Sequence, residues 1–368
     1  MTEHIETVII GGGQAGLATG HHLRKRGRPF VILDENQRIG DAWRQRWDSL
    51  RLFTPAKYNG LPGWRFPAPA LTFPTKDEVA DYLEAYAARF DLPVRTGVSV
   101  DGLHSDRNGY LVTSAAGRFE ADNVVVGSGS HRSPRVPDFA ADLDPSILQL
   151  HSCEYRSPAQ LRQGPTLVVG AGNSGAEIAL EVSRSHPTLL SGRSVGQIPV
   201  KHGPSAARLV LPLFRFAGHH VLTVASPVGR KARPSFLANG APLIRTKRKN
   251  LAAAGVELLP RTTRVLDGSP ALEDGRVLEV ANVIWCTGFR PGLDWIGVDI
   301  FGDDGRPVHR RGVVPDAPGL FFVGLQFQYA ATSDVFPGVG RDAEYIADQI
   351  AARVQSHEAS PAPVLDAA

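Results

Sequence analysis

The chain has 368 residues, enough for two or three domains with sizeable cores. Forty basic and 37 acidic residues leave a formal charge of +3, which marks neither a nucleic-acid nor a membrane partner. Two distant cysteines, Cys153 and Cys286, argue against a disulfide framework or a zinc site. The N-terminus lacks a signal-peptide pattern, and no stretch reaches the ~20 apolar residues of a membrane span, so a soluble cytoplasmic protein is expected.

Taken in order, the chain writes one module twice. The first copy opens with the apolar run Thr7–Ile10, short enough for a buried parallel strand. The loop Gly11-Gly12-Gly13-Gln14-Ala15-Gly16 follows, then a helix that stops at Gly27 and a strand Phe30–Leu33 ending at Asp34. Strand pieces from Val94 to Val126, with turns at Asp106–Gly109 and Ala116-Gly117, read as a β-meander closed by Gly127-Ser128-Gly129. The second copy runs Thr166–Val169, the loop Gly170-Ala171-Gly172-Asn173-Ser174-Gly175, a helix to about Ser185, and a strand Thr188–Leu190 leading to Gly192-Arg193-Ser194. Its meander, Val256 to Trp285, closes on Cys286-Thr287-Gly288. A further strand, Leu320–Val323, and a helix from about Arg341 to Val354 come afterwards, and the tail from His357 reads as frayed.

This order predicts an α/β fold of two Rossmann-like dinucleotide-binding domains, the second inserted in the first, each with a β-meander. The expected boundaries are 1–156 plus 286–368 for the outer domain and 157–285 for the inner one, with an insert at about 201–250. In that insert the apolar run Leu209, Val210, Leu211, Leu213, Phe214 and Phe216 reads first as core, with a substrate-access lid or a dimer face as alternatives. The basic residues Arg230, Lys231, Arg233, Arg245, Lys247, Arg248 and Lys249 read as a solvated face.

Each glycine loop follows an apolar strand and precedes a helix, the context in which such a loop cradles a pyrophosphate on the helix N-terminus. Asp34, with Glu35 as the neighbouring alternative, can accept a ribose hydroxyl and would repel a 2′-phosphate, so the first site suits FAD or NAD. Arg193 and Ser194 stand at the matching point of the second copy. A guanidinium there can pair with a 2′-phosphate, which favours NADPH over NADH.

From Gly40-Asp41-Ala42-Trp43-Arg44 through Asp48–Leu52 and Thr54-Pro55, the chain resembles the flavin-containing monooxygenases, and more closely their short bacterial cation-efflux-associated branch. The second glycine loop, Cys286–Pro291 and Gly319–Gly324 extend the likeness in order over nearly the whole chain. The resemblance implies an FAD site of Gly11, Gly13, Gln14, Ala15, Gly16, Asp34, Glu35, Gly40, Trp43, Arg44, Leu52, Thr54, Val100, Ser128, Gly129 and Gln326. It implies an NADP site of Gly170, Gly172, Asn173, Ser174, Gly175, Arg193, Ser194, Cys286, Thr287 and Gly288, with Arg44, Asn173 and Ser174 lining the pocket of the retained nucleotide.

The reaction implied is hydride transfer from NADPH to FAD, uptake of molecular oxygen, and oxygenation of a sulfide, amine or ketone through a C4a-(hydro)peroxyflavin. The flavin carries that chemistry, so no catalytic side chain and no metal are assigned. The expected partner is a small organic molecule, with a homodimer left open.

Two family markers are altered. His151-Ser152-x-x-Tyr155 keeps the second half of the family's identifying segment, while Pro145 and Ile147 replace its Phe and Gly. That segment is read as structural. Pro55 stands where many eukaryotic-type members have Asn. An NAD(P)H-dependent ferredoxin or quinone reductase shares the same plan and is the rival reading.

Overall fold

The computed structural model describes residues 2–106, 109–129, 133–239, 241–290 and 292–359. Arg107 and Asn108 of the first meander, Pro291, and residues 360–368 of the expected tail lie outside them.

The outer unit begins with β1 (Thr2–Ile10), α1 (Gln14–Lys25), β2 (Phe30–Leu33), a one-turn α2 (Asp41–Arg44) and α3 (Lys76–Arg89). It continues with β3 (Val94–Arg95), β4 (Val100–Asp106), β5 (Gly109–Ser114) and β6 (Gly117–Val126). The short β7 (Ser133–Pro134) leads into β8 (Leu148–His151), β9 (Thr166–Val169), α4 (Asn173–Val182) and β10 (Thr188–Ser191). Helices α5 (Pro204–Leu209), α6 (Leu211–Phe216), α7 (Pro227–Asn239) and α8 (Arg248–Ala253) follow. The chain then forms β11 (Glu257–Leu259), β12 (Thr262–Leu266), β13 (Ser269–Leu272), β14 (Asn282–Trp285), β15 (Phe289–Arg290), β16 (Leu320–Phe322) and α9 (Phe336–Ala359).

Two sheets result. The first has the order β3-β2-β1-β6-β5-β4, with β16 also on β6. The length of β6 allows this: Gly117–Ala121 pairs antiparallel with β5, and Val124–Val126 pairs parallel with β16. The second sheet, β11-β10-β9-β14-β8, is parallel throughout. The chain leaves the first sheet after β6, builds the second, and returns through β16. The two Rossmann-like sheets and the insertion are therefore both present. In the second unit the meander is reduced to the antiparallel hairpin β12–β13, set apart from the sheet.

Both sheets are covered on two faces, which is why the parallel stretches Val8–Ile10, Phe30–Leu33, Val124–Val126 and Leu167–Val169 read as unbroken apolar runs. In β1, Ile9 packs with Leu17, Val79 and Ile346 on one side, while Val8 and Ile10 pack with Leu103, Val112 and Ile296 on the other. In β9, Val168 packs with Ile178 and Leu251, and Leu167 and Val169 pack with Leu143 and Trp285.

Helix α9 is longer than the periodicity predicts, because it starts at Phe336 rather than near Arg341 and runs on to Ala359. Pro337 occupies its first turn, where a missing N–H costs nothing.

The core reading of the insert's apolar run is corrected. Leu209 and Leu213 are each 69% exposed and Phe216 is 58% exposed. The solvated reading fails for two of the basic residues. Lys247 is buried and donates to the carbonyls of Ile198 and Val200, and Arg245 donates to the Arg51 carbonyl at 2.7 Å.

Candidate functional site

The register brings the carboxyl ends of strands together at each glycine loop. Ile10 aligns with Leu33 and Val126, which sets Gly11, Asp34 and Gly127 side by side. Val169 aligns with Ser191 and Trp285, which sets Gly170, Gly192 and Cys286 side by side. In open parallel sheets, ligands bind at this edge.

The two loops are built alike. A Cβ on Gly16 would lie 1.9 Å from the Gly11 carbonyl oxygen, and one on Gly175 would lie 1.8 Å from that of Gly170. Both positions need glycine so that the helix can press against the loop. Gly13 and Gly172 differ, since a Cβ on either meets nothing within 4 Å. Each is the N-cap of its helix, α1 or α4, and neither helix has a side-chain cap. Open space in front of uncapped N–H groups is the geometry that receives a phosphate.

Asp34 is 7% exposed and faces the first loop. It accepts the Gly12 amide at 2.5 Å on Oδ2 and the Asn36 amide at 2.9 Å on Oδ1. A cavity of about 440 Å³ opens in front of it. Its wall includes Gly11, Gly13, Gln14, Ala15, Asp34, Glu35, Gly40, Trp43, Leu52, Thr54, Val100, Ser128 and Gly129 from the expected FAD set, and Asn173 and Ser174 from the nicotinamide set. Two buried polar atoms belonging to wall residues, Trp47 Nε1 and Ser128 Oγ, have no partner among the described residues. The residues present thus fit a bound dinucleotide: an open loop, a carboxylate at the ribose position, and unpaired polar atoms.

Other expected residues lie elsewhere. Gly16 packs behind the loop. Arg44 is corrected: it is turned away from the cavity, where Nη1 donates to the Ile39 carbonyl at 2.7 Å and Nη2 to Asp81 at 2.9 Å and Glu84 at 3.0 Å. Arg46 takes a place in the wall instead, with its guanidinium 5.3 Å from the centre of the Phe289 ring. Gln326 is half-buried outside the cavity, and the neighbouring Gly324 lines it.

Asn173 reaches the cavity, yet its amide is spent on the chain entering α8. Oδ1 accepts from the Ile244 amide at 3.0 Å, and Nδ2 donates to the Pro242 carbonyl at 3.0 Å. Gly170, Gly172, Gly175 and the turn Cys286–Gly288 lie at the mouth of the second loop rather than in the cavity wall. The Cys286 amide donates to the Val169 carbonyl at 2.7 Å. Arg193 and Ser194 are exposed just past β10.

Sequence reasoning missed Arg46, Trp47, Arg51, Glu177, Phe289 and Asp334, all of which line the cavity. Burial pushes the Glu177 carboxyl up to about 7 against the opposing pull of Arg245, and pushes Asp334 up to about 6. Arg46, two residues past the Trp43-Arg44 pair, and Arg51 and Phe289, inside the Asp48–Leu52 and Cys286–Pro291 segments, carried a local signal; the other three did not.

His151 is structural in its contacts. Its Nε2 meets the Gly288 carbonyl at 3.1 Å and its Nδ1 lies 3.1 Å from Cys153 Sγ, so it joins β8 to the turn after β14. Tyr155 is fully buried and donates to Glu181 at 2.9 Å. Cys153 and Cys286 are both free thiols. Among the described residues no helix is long and apolar enough to cross a membrane, and no group of three or more His, Cys, Asp or Glu could hold a metal ion.

Fold and site together define an α/β protein with two glycine loops of dinucleotide-binding form. The profile of the family described as pyridine nucleotide-disulphide oxidoreductase matches residues 8–191. An uncharacterized CzcO-like oxidoreductase of Geobacillus kaustophilus is 37% identical over 354 residues, spanning 95% of this chain and 99% of its own. Probable indole-3-pyruvate monooxygenase YUCCA3 of Arabidopsis thaliana is 28% identical across 94% of this chain and 86% of its own. Among solved structures, a flavin-containing monooxygenase from Stenotrophomonas maltophilia matches with a TM-score of 0.77 at 29% identity, covering 96% of this chain and 99% of that one. The chain belongs to the flavin-containing monooxygenase and CzcO-like oxidoreductase family of pyridine nucleotide-disulphide oxidoreductases. It is a flavin-dependent oxidoreductase, and its family implies FAD and NAD(P)H as cofactors.

Proposed function

We propose that this protein is an FAD-dependent monooxygenase that prefers NADPH and oxygenates a small sulfide, amine or ketone. The observation that carries the reading is the shared cavity. The first glycine loop and Asp34 line one part of it, and Asn173, Ser174 and Glu177 at the start of α4 line another, so two nucleotides bound at their loops would meet in one space. The balance is one substrate, one O₂, one NADPH and one proton in, and one oxygenated product, one water and one NADP⁺ out.

When bound, FAD supplies hydride acceptance and oxygen activation. The chain's own residues bind, orient and exclude water. Residues 1–156 and 286–368 form the FAD-binding unit, in which the Gly11–Gly16 loop holds the pyrophosphate and Asp34 the adenosine ribose. Residues 157–285 form the NAD(P)H-binding unit, with the Gly170–Gly175 loop on the pyrophosphate and Arg193 on the 2′-phosphate. Trp43, Leu52, Val100, Phe289 and Phe336 give the cavity its apolar wall, which keeps water from the reacting atoms.

The test is NADPH consumption by the holoenzyme with methyl p-tolyl sulfide present. Sulfoxide formed in step with NADPH supports oxygenation. Hydrogen peroxide alone, or transfer of electrons only to a quinone or ferredoxin, would assign the protein to the reductases that share its fold.

A further inference from the structure

A second cavity, of about 590 Å³, lies against the first. It is lined by Lys57, Tyr58, Leu61, Trp64 and Arg65 of the 57–65 loop, by Arg215 of α6, and by Phe336 and Pro337 at the start of α9. Phe336, a buried residue, belongs to both walls, so the two spaces adjoin at its side chain.

Its chemistry is one-sided. The wall carries three cations and no carboxylate. None of the three makes an ion pair within the described residues, in a chain where nearly equal numbers of acidic groups are available. Arg215 Nε is buried and has no hydrogen-bond partner. Its guanidinium lies 4.9 Å from the centre of the Tyr58 ring, and Lys57 Nζ lies 4.8 Å from that same ring. A concave wall of unneutralised cations concentrates anions, and an arginine fork held on an aromatic face fits a carboxylate.

Tyr58, Trp64 and Phe336 add aromatic faces to the wall, and its loop is held in place. The Tyr82 hydroxyl accepts from the Leu61 amide at 2.7 Å and donates to the Trp64 carbonyl at 2.8 Å, while the Tyr86 hydroxyl donates to the Pro62 carbonyl at 2.6 Å. Asn59, fully buried, ties the loop to Thr54 of the first cavity, accepting the Thr54 hydroxyl at 2.5 Å and donating to its carbonyl at 3.0 Å.

We propose that the substrate is an aromatic carboxylate, captured with its anion on Arg215, Lys57 and Arg65 and its ring against Tyr58, Trp64 and Phe336 before it passes Phe336 into the flavin cavity. The proposal rests on the oxygenase reading for what happens next, but not for the capture itself. It also gives the insert a role: α6 delivers Arg215 to the mouth while Leu213 and Phe216 on the same helix stay exposed.

Capture is tested by calorimetric titration of the holoenzyme with phenylacetate and with its neutral isostere phenylacetamide. The anion is expected to bind about tenfold more tightly or better, a margin that shrinks at high salt and in Arg215→Gln but persists in Arg215→Lys. Equal binding of acid and amide, or a margin untouched by Arg215→Gln, would overturn the proposal. Inorganic phosphate displacing phenylacetate at lower concentration would overturn the carboxylate assignment in favour of a phosphate ester. Should Arg215→Gln not fold, Lys57→Gln combined with Arg65→Gln is read in the same way.

Turnover separates the two readings. The ratio of kcat/KM for 4-(methylthio)phenylacetate to that for methyl p-tolyl sulfide is expected to exceed about ten and to fall towards one in Arg215→Gln. A ratio near one in the wild type overturns the capture proposal. If neither thioether yields sulfoxide while phenylacetate keeps its binding margin, oxygenation fails and capture stands.

Discussion

The Gly12 amide donates to Asp34 Oδ2 at 2.5 Å, tying the first glycine loop to the end of the second strand. A Cβ on Gly12 would lie 2.8 Å from that same oxygen, so the loop can approach the carboxylate only without a side chain. Asp34 therefore has two roles at once. It fixes the loop, and, with Oδ1 taken by the backbone and side-chain amides of Asn36 at 2.9 Å each, it leaves Oδ2 to accept a ribose hydroxyl from the cavity that Asp34 lines.

Asp34→Ala should cost the protein its flavin more than its fold. A hydrogen bond to a charged acceptor contributes about 1.5–3 kcal/mol, so roughly ten- to hundredfold weaker FAD binding is expected. The measurement is the flavin-to-protein absorbance ratio after gel filtration, followed by FAD titration of the stripped chain. Full retention of FAD by the variant would show that Asp34 does not contact the nucleotide.

The second loop allows a paired test. In Gly175→Ala the new methyl would sit 1.8 Å from the Gly170 carbonyl oxygen and 3.3 Å from Cys286 Cβ, so helix α4 must move off its strand. A loss of at least about 2 kcal/mol in unfolding free energy is expected. Gly172→Ala meets nothing within 4 Å. It should leave the melting temperature nearly unchanged and weaken NAD(P)H binding, because the methyl occupies the space a pyrophosphate needs. If Gly172→Ala binds the nucleotide normally, the second loop is not its site.

These loops were legible because what makes them is local. A buried strand, a glycine turn and a helix start follow one another within fifteen residues or so, and Asp34 closes the next strand. What was not legible depended on distant parts of the chain. Arg44 and Arg46 look alike in sequence, but Asp81 and Glu84 on α3 pull Arg44 out of the site and leave Arg46 in the wall. The apolar run of the insert reads as core, yet it helps form a cavity mouth and leaves Leu209 and Leu213 in solvent. Lys247 reads as a surface cation because nothing nearby announces the Ile198 and Val200 carbonyls that bury it.

Arg193 stands exposed just past β10, with no ion pair among the described residues. An unpaired guanidinium beside the second loop is available to a 2′-phosphate and irrelevant to a 2′-hydroxyl. Arg193→Gln should raise the KM for NADPH by about tenfold and leave that for NADH within about twofold. Steady-state kinetics with both nucleotides decide it, and equal changes in the two would remove Arg193 from the site.

Glu177 and Arg245 give the chain a pH-dependent stability. The Arg245 Nη1 lies 3.4 Å from Glu177 Oε2 and also donates to the Arg51 carbonyl, so its attraction is shared, and burial prevails over it. The carboxyl of the folded protein therefore holds its proton up to about 7, against an ordinary value of 4.5 in the unfolded chain. Between those two values the unfolded state binds fewer protons than the folded one, so stability falls as pH rises across the window and levels off above it. Glu177→Gln removes the charge that is costly to bury. It should match the wild type below the window and exceed it above pH 7, by on the order of 1–2 kcal/mol once the lost attraction to Arg245 is set against the gain. Melting temperatures of the cofactor-free chain from pH 4.5 to 8 test this. A wild-type curve that climbs relative to the variant across that range would mean that the ion pair, and not burial, governs Glu177.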